Sequence, residues 1–137
     1  LSKQLKLPIL NLVGKYKRWA NYNRLAPTPE EWLYIIHHAD YVCTNSFHGV
    51  CFSIIFKRPF AYCEARVQGH NKRIGRIQNL LGQTYFTNRY ITDISQLSGE
   101  MINKSTDIVE NAKYVEAYRN RSREWLKNAI ENETDQE

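Results

Sequence analysis

His48 lies in the segment of the chain whose residues are best placed to do chemistry. The residues from Asp40 to Val50 have the pattern of a short buried strand that leads directly into a helix, with His48 in the first turn of that helix. Free backbone N–H groups and the positive end of the helix dipole make such a junction a binding site for anions. Residues 46–49 would also lie beyond the carboxyl end of the strand, where open α/β sheets bind ligands. We therefore predict that His48 is placed to take part in chemistry on a bound anion.

Each candidate residue at this junction also has a structural interpretation. His48 could satisfy only local hydrogen bonds, and Gly49 could serve close packing of the helix on the strand rather than close approach of a ligand. His37 and His38 end the preceding helix, where a cation complements the dipole, so we interpret both as capping residues. The spacing of Cys43, His48 and Cys51 fits no common zinc site, and Cys51 lies among apolar residues. No metal site is predicted.

A basic cluster follows the third predicted strand, at the sheet edge where His48 is expected. The cluster comprises Arg66, His70, Lys72, Arg73 and Arg76. It is either part of the same anion site or an ordinary solvated helix face. Tyr62 and Glu64 end the same strand and could also line the crevice, although the sequence assigns them no role.

Alternating strands and helices must position these residues. Thr28-Pro29-Glu30-Glu31 supplies an N-cap, a proline at the first helical position and a capping-box glutamate, so a helix is expected to begin there. The apolar patterns predict strands over Leu7–Val13, Tyr41–Thr44 and Pro59–Cys63, an edge strand over Tyr85–Ile91, and helices over Phe47–Lys57, Asn71–Leu81 and Tyr114–Ile130, with Gly82 ending the second of these helices. This order predicts an α/β fold, a Rossmann-like parallel sheet flanked by helices, in a single domain over residues 1–130 with a polar tail over residues 131–137.

Composition limits the classes of partner. The 137 residues carry a net charge of +5 and have a sequence pI of about 9.2, which favours phosphates, acidic glycans or lipid head groups, unless the basic surface is merely solvated. Lys15-Tyr16-Lys17-Arg18-Trp19 interleaves aromatic and basic residues, but no nucleic-acid recognition motif accompanies it, so nucleic acid is not an expected partner. Three cysteines without a C-x-x-C pair argue against a disulfide framework and for a reducing compartment. No apolar run is long enough to span a bilayer.

The segment around His48 resembles the C-terminal half of polysaccharide pyruvyl transferases. The resemblance rests on Ala39–Gly49, with its serine-phenylalanine-histidine-glycine core, and continues through Phe52–Phe60. Further similar segments are Asn71-Lys72-Arg73-Ile74, Leu80-Leu81-Gly82 and Tyr118–Ala129. The family implies a glycosyltransferase-B-like enzyme of two domains. This chain would then be the C-terminal domain of a longer protein, inactive without the N-terminal domain.

The resemblance implies a bacterial transferase that moves a pyruvyl group from phosphoenolpyruvate to two hydroxyls of a sugar, forming a ketal in an exopolysaccharide, capsule or cell-wall glycan. Phosphoenolpyruvate would be the donor substrate, no separate cofactor would be needed, and the acceptor would be a glycan or a lipid-linked oligosaccharide. The implied catalytic residue is His48, and the implied substrate-binding residues are Asn45, Ser46, Phe47, Gly49 and Arg73. The protein would be cytoplasmic, and a peripheral association with the inner face of the membrane is left open.

One residue departs from the family pattern, because some members carry an arginine where this chain has Ser46. Serine can donate a hydrogen bond but supplies no charge, so Arg73 or the N-terminal domain would have to compensate, or the donor differs. Two other functions also remain open. A nucleotide-sugar glycosyltransferase of similar architecture would use an acidic residue such as Glu64 to hold a ribose, and a non-catalytic interaction domain would bind neither ligand.

Overall fold

Parallel strands form the framework of the fold. The structure is a computed structural model, and it describes residues 6–12, 14–64, 71–96 and 106–134. The strands are β1 (Leu10–Asn11), β2 (Tyr22–Asn23), β3 (Val42–Thr44), β4 (Phe60–Cys63) and β5 (Tyr90–Ile91). The helices are α1 (Pro29–His38), α2 (Phe47–Ile55), α3 (Asn71–Gln83), α4 (Thr106–Glu110) and α5 (Ala112–Thr134).

The strands form two sheets in the described part of the chain. In one sheet the order is β3-β4-β5, and Thr44 lies beside Tyr62, which in turn lies beside Tyr90. In the other sheet β1 pairs with β2, and all of these pairings are parallel. Parallel strands in open sheets with flanking helices make the fold α/β and Rossmann-like, as the sequence predicted.

The start of α1 is fixed by local hydrogen bonds. The Thr28 hydroxyl accepts from the Glu31 backbone N–H at 3.3 Å, and the Glu31 carboxylate accepts from the Thr28 N–H at 2.8 Å. Each bond satisfies a backbone N–H group that the helix end would otherwise leave unpaired. The predicted capping box is therefore confirmed, and it sets where α1 enters the fold ahead of β3.

The core lies between the larger sheet and helices α2 and α3. Alternate residues of β3 and β4 share one face of the sheet, and Val42, Phe60 and Tyr62 on that face are buried. The remaining members of this buried cluster are Ile36, Val50, Ile54, Ile77, Leu81, Phe86 and Ile108. Because α2 contributes its apolar side chains to this cluster, its first turn is fixed relative to the end of β3.

A buried ion pair attaches α4 to the sheet. The side chain of Arg89 is fully buried, and its Nη2 lies 2.6 Å and 2.7 Å from the two carboxylate oxygens of Asp107, while its Nε donates to Asp107 at 2.9 Å. Nη1 of Arg89 donates to the carbonyl of Phe60 at 3.2 Å. One guanidinium thus joins β4 and α4 to the turn that precedes β5, a contact that no pattern in the sequence predicted.

The first predicted strand is wrong in extent and in burial. The sequence favoured a buried strand over Leu7–Val13, whereas β1 has two residues and Leu10 is 41% exposed. Within the part of the chain that the structure describes, β1 pairs with the two residues of β2, which support no longer ladder. Val13 lies outside the described residues.

Several other predicted boundaries shift. Gly82 does not end α3, which continues to Gln83, and the chain turns instead at Tyr85, whose φ is 60°. The predicted strand over Tyr85–Ile91 shortens to β5, because Thr87–Arg89 forms a 3₁₀ turn that brings Arg89 inward, although β5 is at the edge of its sheet as expected. Helix α5 begins at Ala112 and continues to Thr134, four residues into the segment interpreted as a polar tail.

Candidate functional site

The N-terminus of α2 presents free backbone donors at the carboxyl end of β3. Ser46 is the N-cap: its hydroxyl accepts from the Gly49 N–H at 3.5 Å, and its own N–H donates to the Thr44 hydroxyl at 3.0 Å. Within the described part of the chain, the N–H groups of Phe47 and His48 have no protein acceptor. Two free donors and the helix dipole make this turn a suitable anion site.

The imidazole of His48 is exposed to solvent at this turn. It contacts the ring of Phe47 edge to face, with centroids 6.0 Å apart and planes at 84°. Asn45, which precedes the N-cap, is exposed as well. The ring is thus not enclosed by apolar neighbours, and it can meet a ligand bound at the helix N-terminus. The catalytic role of His48 stays a prediction.

Gly49 allows α2 to pack closely on β3. It is buried, and a β-carbon added to it would lie within 3.0 Å of the Thr44 Cβ and Cγ2 and still closer to the Thr44 hydroxyl oxygen. Real side chains do not approach so closely, so the structural interpretation of this glycine is supported. Close approach of a ligand at Gly49 stays a prediction.

Gly49→Ala is expected to destabilise the fold by about 2 kcal/mol, because the overpacking at Thr44 exceeds the gain in helix propensity of roughly 1 kcal/mol. Gly75 and Gly82, both in α3, have open space where a β-carbon would be placed. Gly82→Ala should therefore stabilise the protein by about 0.5–1 kcal/mol. Urea denaturation of both variants checks this, and equal effects of the two substitutions would contradict the packing argument.

A guanidinium lies next to the first turn of α2. The Arg76 Cζ is 5.5 Å from the centre of the Phe47 ring, a cation–π contact with the side chain of the first residue of α2. Arg76 is exposed and belongs to the basic cluster that the sequence analysis named. From that cluster, the sequence analysis preferred Arg73 as the substrate-binding residue. Arg73 lies in the first turn of α3, three residues before Arg76, and its side chain lies outside the described residues.

The other predicted members of the basic cluster cannot be placed with it. Arg66 and His70 lie outside the described residues, and so does the side chain of Lys72. The sequence did contain a signal for Arg76, because positions 73 and 76 are three residues apart and share one face of a helix. The contact with Phe47 distinguishes Arg76 only once α3 is packed beside α2.

Two tyrosines and a glutamate follow the same sheet edge. The rings of Tyr62 and Tyr90 lie 5.3 Å apart on neighbouring strands, and the Glu64 N–H donates to the Ile91 carbonyl at 2.9 Å. Burial, together with the neighbouring Glu64 carboxylate, raises the pKa of Tyr90 to about 12. The hydroxyl of Tyr90 therefore stays protonated and beside Glu64, whereas Tyr62 is a buried core residue.

The thiols of Cys43 and Cys63 interact across neighbouring strands. Their hydrogen bond lowers the pKa of Cys63 to about 7 and raises that of Cys43, while burial raises the pKa of Cys51. All three cysteines are free. Cys43 is exposed, although the sequence placed it in an apolar segment, because it lies on the opposite side of β3 from Val42 and the core.

Cys63 is expected to be alkylated by iodoacetamide at a rate that rises steeply between pH 6 and pH 8 and then levels off, because its pKa lies near 7. In the Cys43→Ala variant the hydrogen bond is lost and the pKa of Cys63 returns upward. Alkylation at pH 7 should then slow about fivefold, after allowing for the higher nucleophilicity of a more basic thiolate. Mass spectrometry of the Cys63 peptide measures the rate. An unchanged rate would contradict the interaction.

A separate cavity of about 460 Å³ lies between α3 and α5. It is lined by Gln83, Tyr118, Arg121, Ser122, Trp125 and Leu126, none of which is a predicted site residue. Its lining is mainly apolar, and none of the lining residues belongs to the N-terminus of α2. An anionic substrate is therefore better matched by the N-terminus of α2 than by this cavity.

Among the described residues no group of three or more His, Cys, Asp or Glu side chains could hold a metal. No described helix combines the length and the apolar character needed to cross a membrane.

Comparison with known families identifies the segment that contains this turn. Residues 3–64 match the family model described as Polysaccharide pyruvyl transferase. The match ends just after β4 and covers a little under half of the chain, and it includes β3, the Ser46 cap, His48 and Gly49. The resemblance seen in the sequence is confirmed over these residues, whereas the similar segments from Asn71 onward stay predictions. No curated protein and no solved structure gives a significant match.

Proposed function

We propose, because residues 3–64 match the polysaccharide pyruvyl transferases, that this chain binds phosphoenolpyruvate at the N-terminus of α2 as part of such an enzyme. The observation that carries the proposal is the solvent-exposed imidazole of His48 beside the free N–H groups of residues 47 and 48. A phosphate at this position would accept hydrogen bonds from both backbone N–H groups without any rearrangement of the helix.

The charge around this turn suits the donor. Phosphoenolpyruvate carries a phosphate and a carboxylate, so its binding site needs more than one positive group. The helix dipole contributes roughly half an elementary charge. Arg76, held over the Phe47 ring, supplies a full charge close by. We assign Arg76 the compensating role that the sequence gave to Arg73, and Arg73 remains a further candidate.

Ser46 makes this compensation necessary. Its hydroxyl oxygen already accepts from Gly49 N–H, so its contribution to a ligand is the single hydrogen it can donate. A guanidinium at this position would instead form paired hydrogen bonds to a phosphate or carboxylate. The serine thus keeps the helix capped, and we propose that charge recognition of the donor passes to α3.

The reaction sets the demands on His48. Transfer of the pyruvyl group requires a proton on the methylene carbon of the enol, attack of a sugar hydroxyl on the oxocarbenium-like carbon, and departure of inorganic phosphate before the second hydroxyl closes the ketal. His48 can donate a hydrogen bond to the phosphate as it takes up negative charge in leaving, or can supply the proton. We favour contact with the phosphate, since a helix N-terminus binds anions without tuning of a side chain.

The remaining parts of the proposal concern partners. The acceptor is a glycan or a lipid-linked oligosaccharide with two suitably spaced hydroxyls, and the second wall of the cleft comes from an N-terminal domain of the same protein. We propose a cytoplasmic site of action, where phosphoenolpyruvate is available. No separate cofactor takes part in this scheme.

A ligand comparison tests the proposal. Melting of the protein is followed by thermal shift with phosphoenolpyruvate, inorganic phosphate and a nucleotide sugar such as UDP-glucose. Phosphoenolpyruvate at a hundred times its Kd should add about 2.7 kcal/mol of stability, and phosphate should add less. Stabilisation by the nucleotide sugar alone would instead favour a glycosyltransferase. An unchanged melting temperature with all three ligands would contradict an anion site at the N-terminus of α2.

A further inference from the structure

The positive charge of the chain is concentrated in its first part. The first 29 residues contain six basic residues and no acidic one, whereas the remaining 108 residues contain 13 basic and 14 acidic residues. The net charge of +5 therefore originates entirely before α1. Within the described residues, Lys15, Lys17 and Arg18 form no ion pair with a carboxylate, while Arg24 is paired with Glu31 at 2.6 Å. These three charges remain available to an external anion.

Large aromatic side chains accompany these charges. Tyr16 is 67% exposed, Trp19 is 64% exposed and Tyr22 is 64% exposed. Soluble proteins seldom leave several large rings in water within a few residues, and such a patch marks an interaction site. We call residues 15–22 the basic aromatic loop.

The loop is held in one shape by the side-chain amides of Asn11 and Asn23. Asn11, which is 4% exposed, donates from Nδ2 to the Lys15 carbonyl at 2.9 Å and to Asn23 Oδ1 at 2.8 Å. Asn23 in turn accepts from the Lys17 N–H at 2.9 Å and donates to the Lys17 carbonyl at 3.2 Å. The Ala20 N–H closes a turn on the Lys17 carbonyl at 3.2 Å. The exposed rings thus project from an anchored turn, and their exposure is not the result of a loose segment.

We propose that the basic aromatic loop docks the protein on an anionic lipid bilayer. Trp and Tyr rings are favoured at the level of the lipid head groups, and each basic side chain near an anionic surface strengthens binding about fivefold. Single-stranded nucleic acid is a poorer fit, because no nucleic-acid recognition motif accompanies the loop in the sequence. The inference does not depend on pyruvyl transfer, because the loop and the N-terminus of α2 share no residue.

Vesicle binding tests the inference. The protein is sedimented with vesicles of phosphatidylcholine alone or with an equal amount of phosphatidylglycerol, and tryptophan emission is recorded. We expect binding to the anionic vesicles only, weakening with salt, and a blue shift of the emission. Lys15→Gln combined with Arg18→Gln should lower the affinity at least about tenfold. Trp19→Ser should remove the blue shift.

Matched variants on α5 supply the controls. Trp125 is 72% exposed, so Trp125→Ser removes an equally exposed ring from another surface, and Arg123→Gln with Lys127→Gln removes two basic residues there. Both controls should leave the affinity within about twofold of the parent, as expected for charges away from the contact. Equal losses from loop and α5 variants, absence of binding to anionic vesicles, or binding of an RNA oligonucleotide in preference to vesicles would each overturn the proposal. Phosphoenolpyruvate binding by the loop variants should be unchanged, which separates this test from that of the proposed function.

Discussion

His48→Ala is expected to lower kcat/KM for the proposed pyruvyl transfer by about 10²–10³, the cost of removing one positioned hydrogen-bond donor from a group that gains negative charge. The substitution removes an exposed side chain with no enclosing contacts, so the melting temperature should change by less than about 2 °C. Release of inorganic phosphate from phosphoenolpyruvate in the presence of the glycan acceptor measures the loss.

His48→Gln and His37→Ala refine this result. Glutamine keeps a hydrogen-bond donor but carries no transferable proton, so partial activity would assign His48 to phosphate contact, and a complete loss would assign it to proton transfer. His37 is another exposed histidine, at the end of α1, and its replacement should leave turnover unchanged. Normal turnover in His48→Ala would show that the site is wrongly assigned.

Asp107→Ala is expected to reduce the free energy of unfolding by about 3–5 kcal/mol, the largest loss of stability that we predict. The reason is that the guanidinium of Arg89 is fully buried and would lose the carboxylate that balances its charge. Denaturation in urea, followed by circular dichroism, measures the change through the midpoint at constant slope.

Two further variants separate the buried pair from ordinary surface pairs. Glu116→Ala breaks the Arg119–Glu116 pair, whose side chains are about half exposed, and should cost less than about 1 kcal/mol. Replacing both buried partners, with Arg89→Met and Asp107→Leu, should recover much of the stability lost in Asp107→Ala. A loss in Asp107→Ala no larger than in Glu116→Ala would contradict the structural role of the buried pair.

The strand–helix junction could be predicted because its signals are local. Ser46 caps α2, and it lies between the apolar residues of β3 and those of α2. Thr28 and Glu31 fix the start of α1 by the same kind of local hydrogen bond. Such signals depend on neighbours within four residues, which the sequence displays directly. The family match then confirmed the resemblance of the segment around His48.

Contacts between distant residues could not be predicted from the same signals. Arg89 and Asp107 are 18 positions apart. The residues next to Arg89 in the sequence do not indicate which carboxylate it will pair with. Cys43 and Cys63 meet only because β3 and β4 are neighbours in parallel register. Arg76 becomes a site candidate through its contact with Phe47 on another helix. The short β1 was overestimated because its apolar residues suggested a longer ladder than β2 can provide.

The amide signals of Phe47 and His48, followed by ¹H–¹⁵N NMR during titration with phosphoenolpyruvate, test the central claim most directly. If the phosphate binds at the N-terminus of α2, both N–H protons should move downfield and saturate together, and inorganic phosphate should shift the same pair more weakly. Unchanged signals from these residues, with the perturbations located instead at the groove between α3 and α5 around Tyr118 and Trp125, would contradict it.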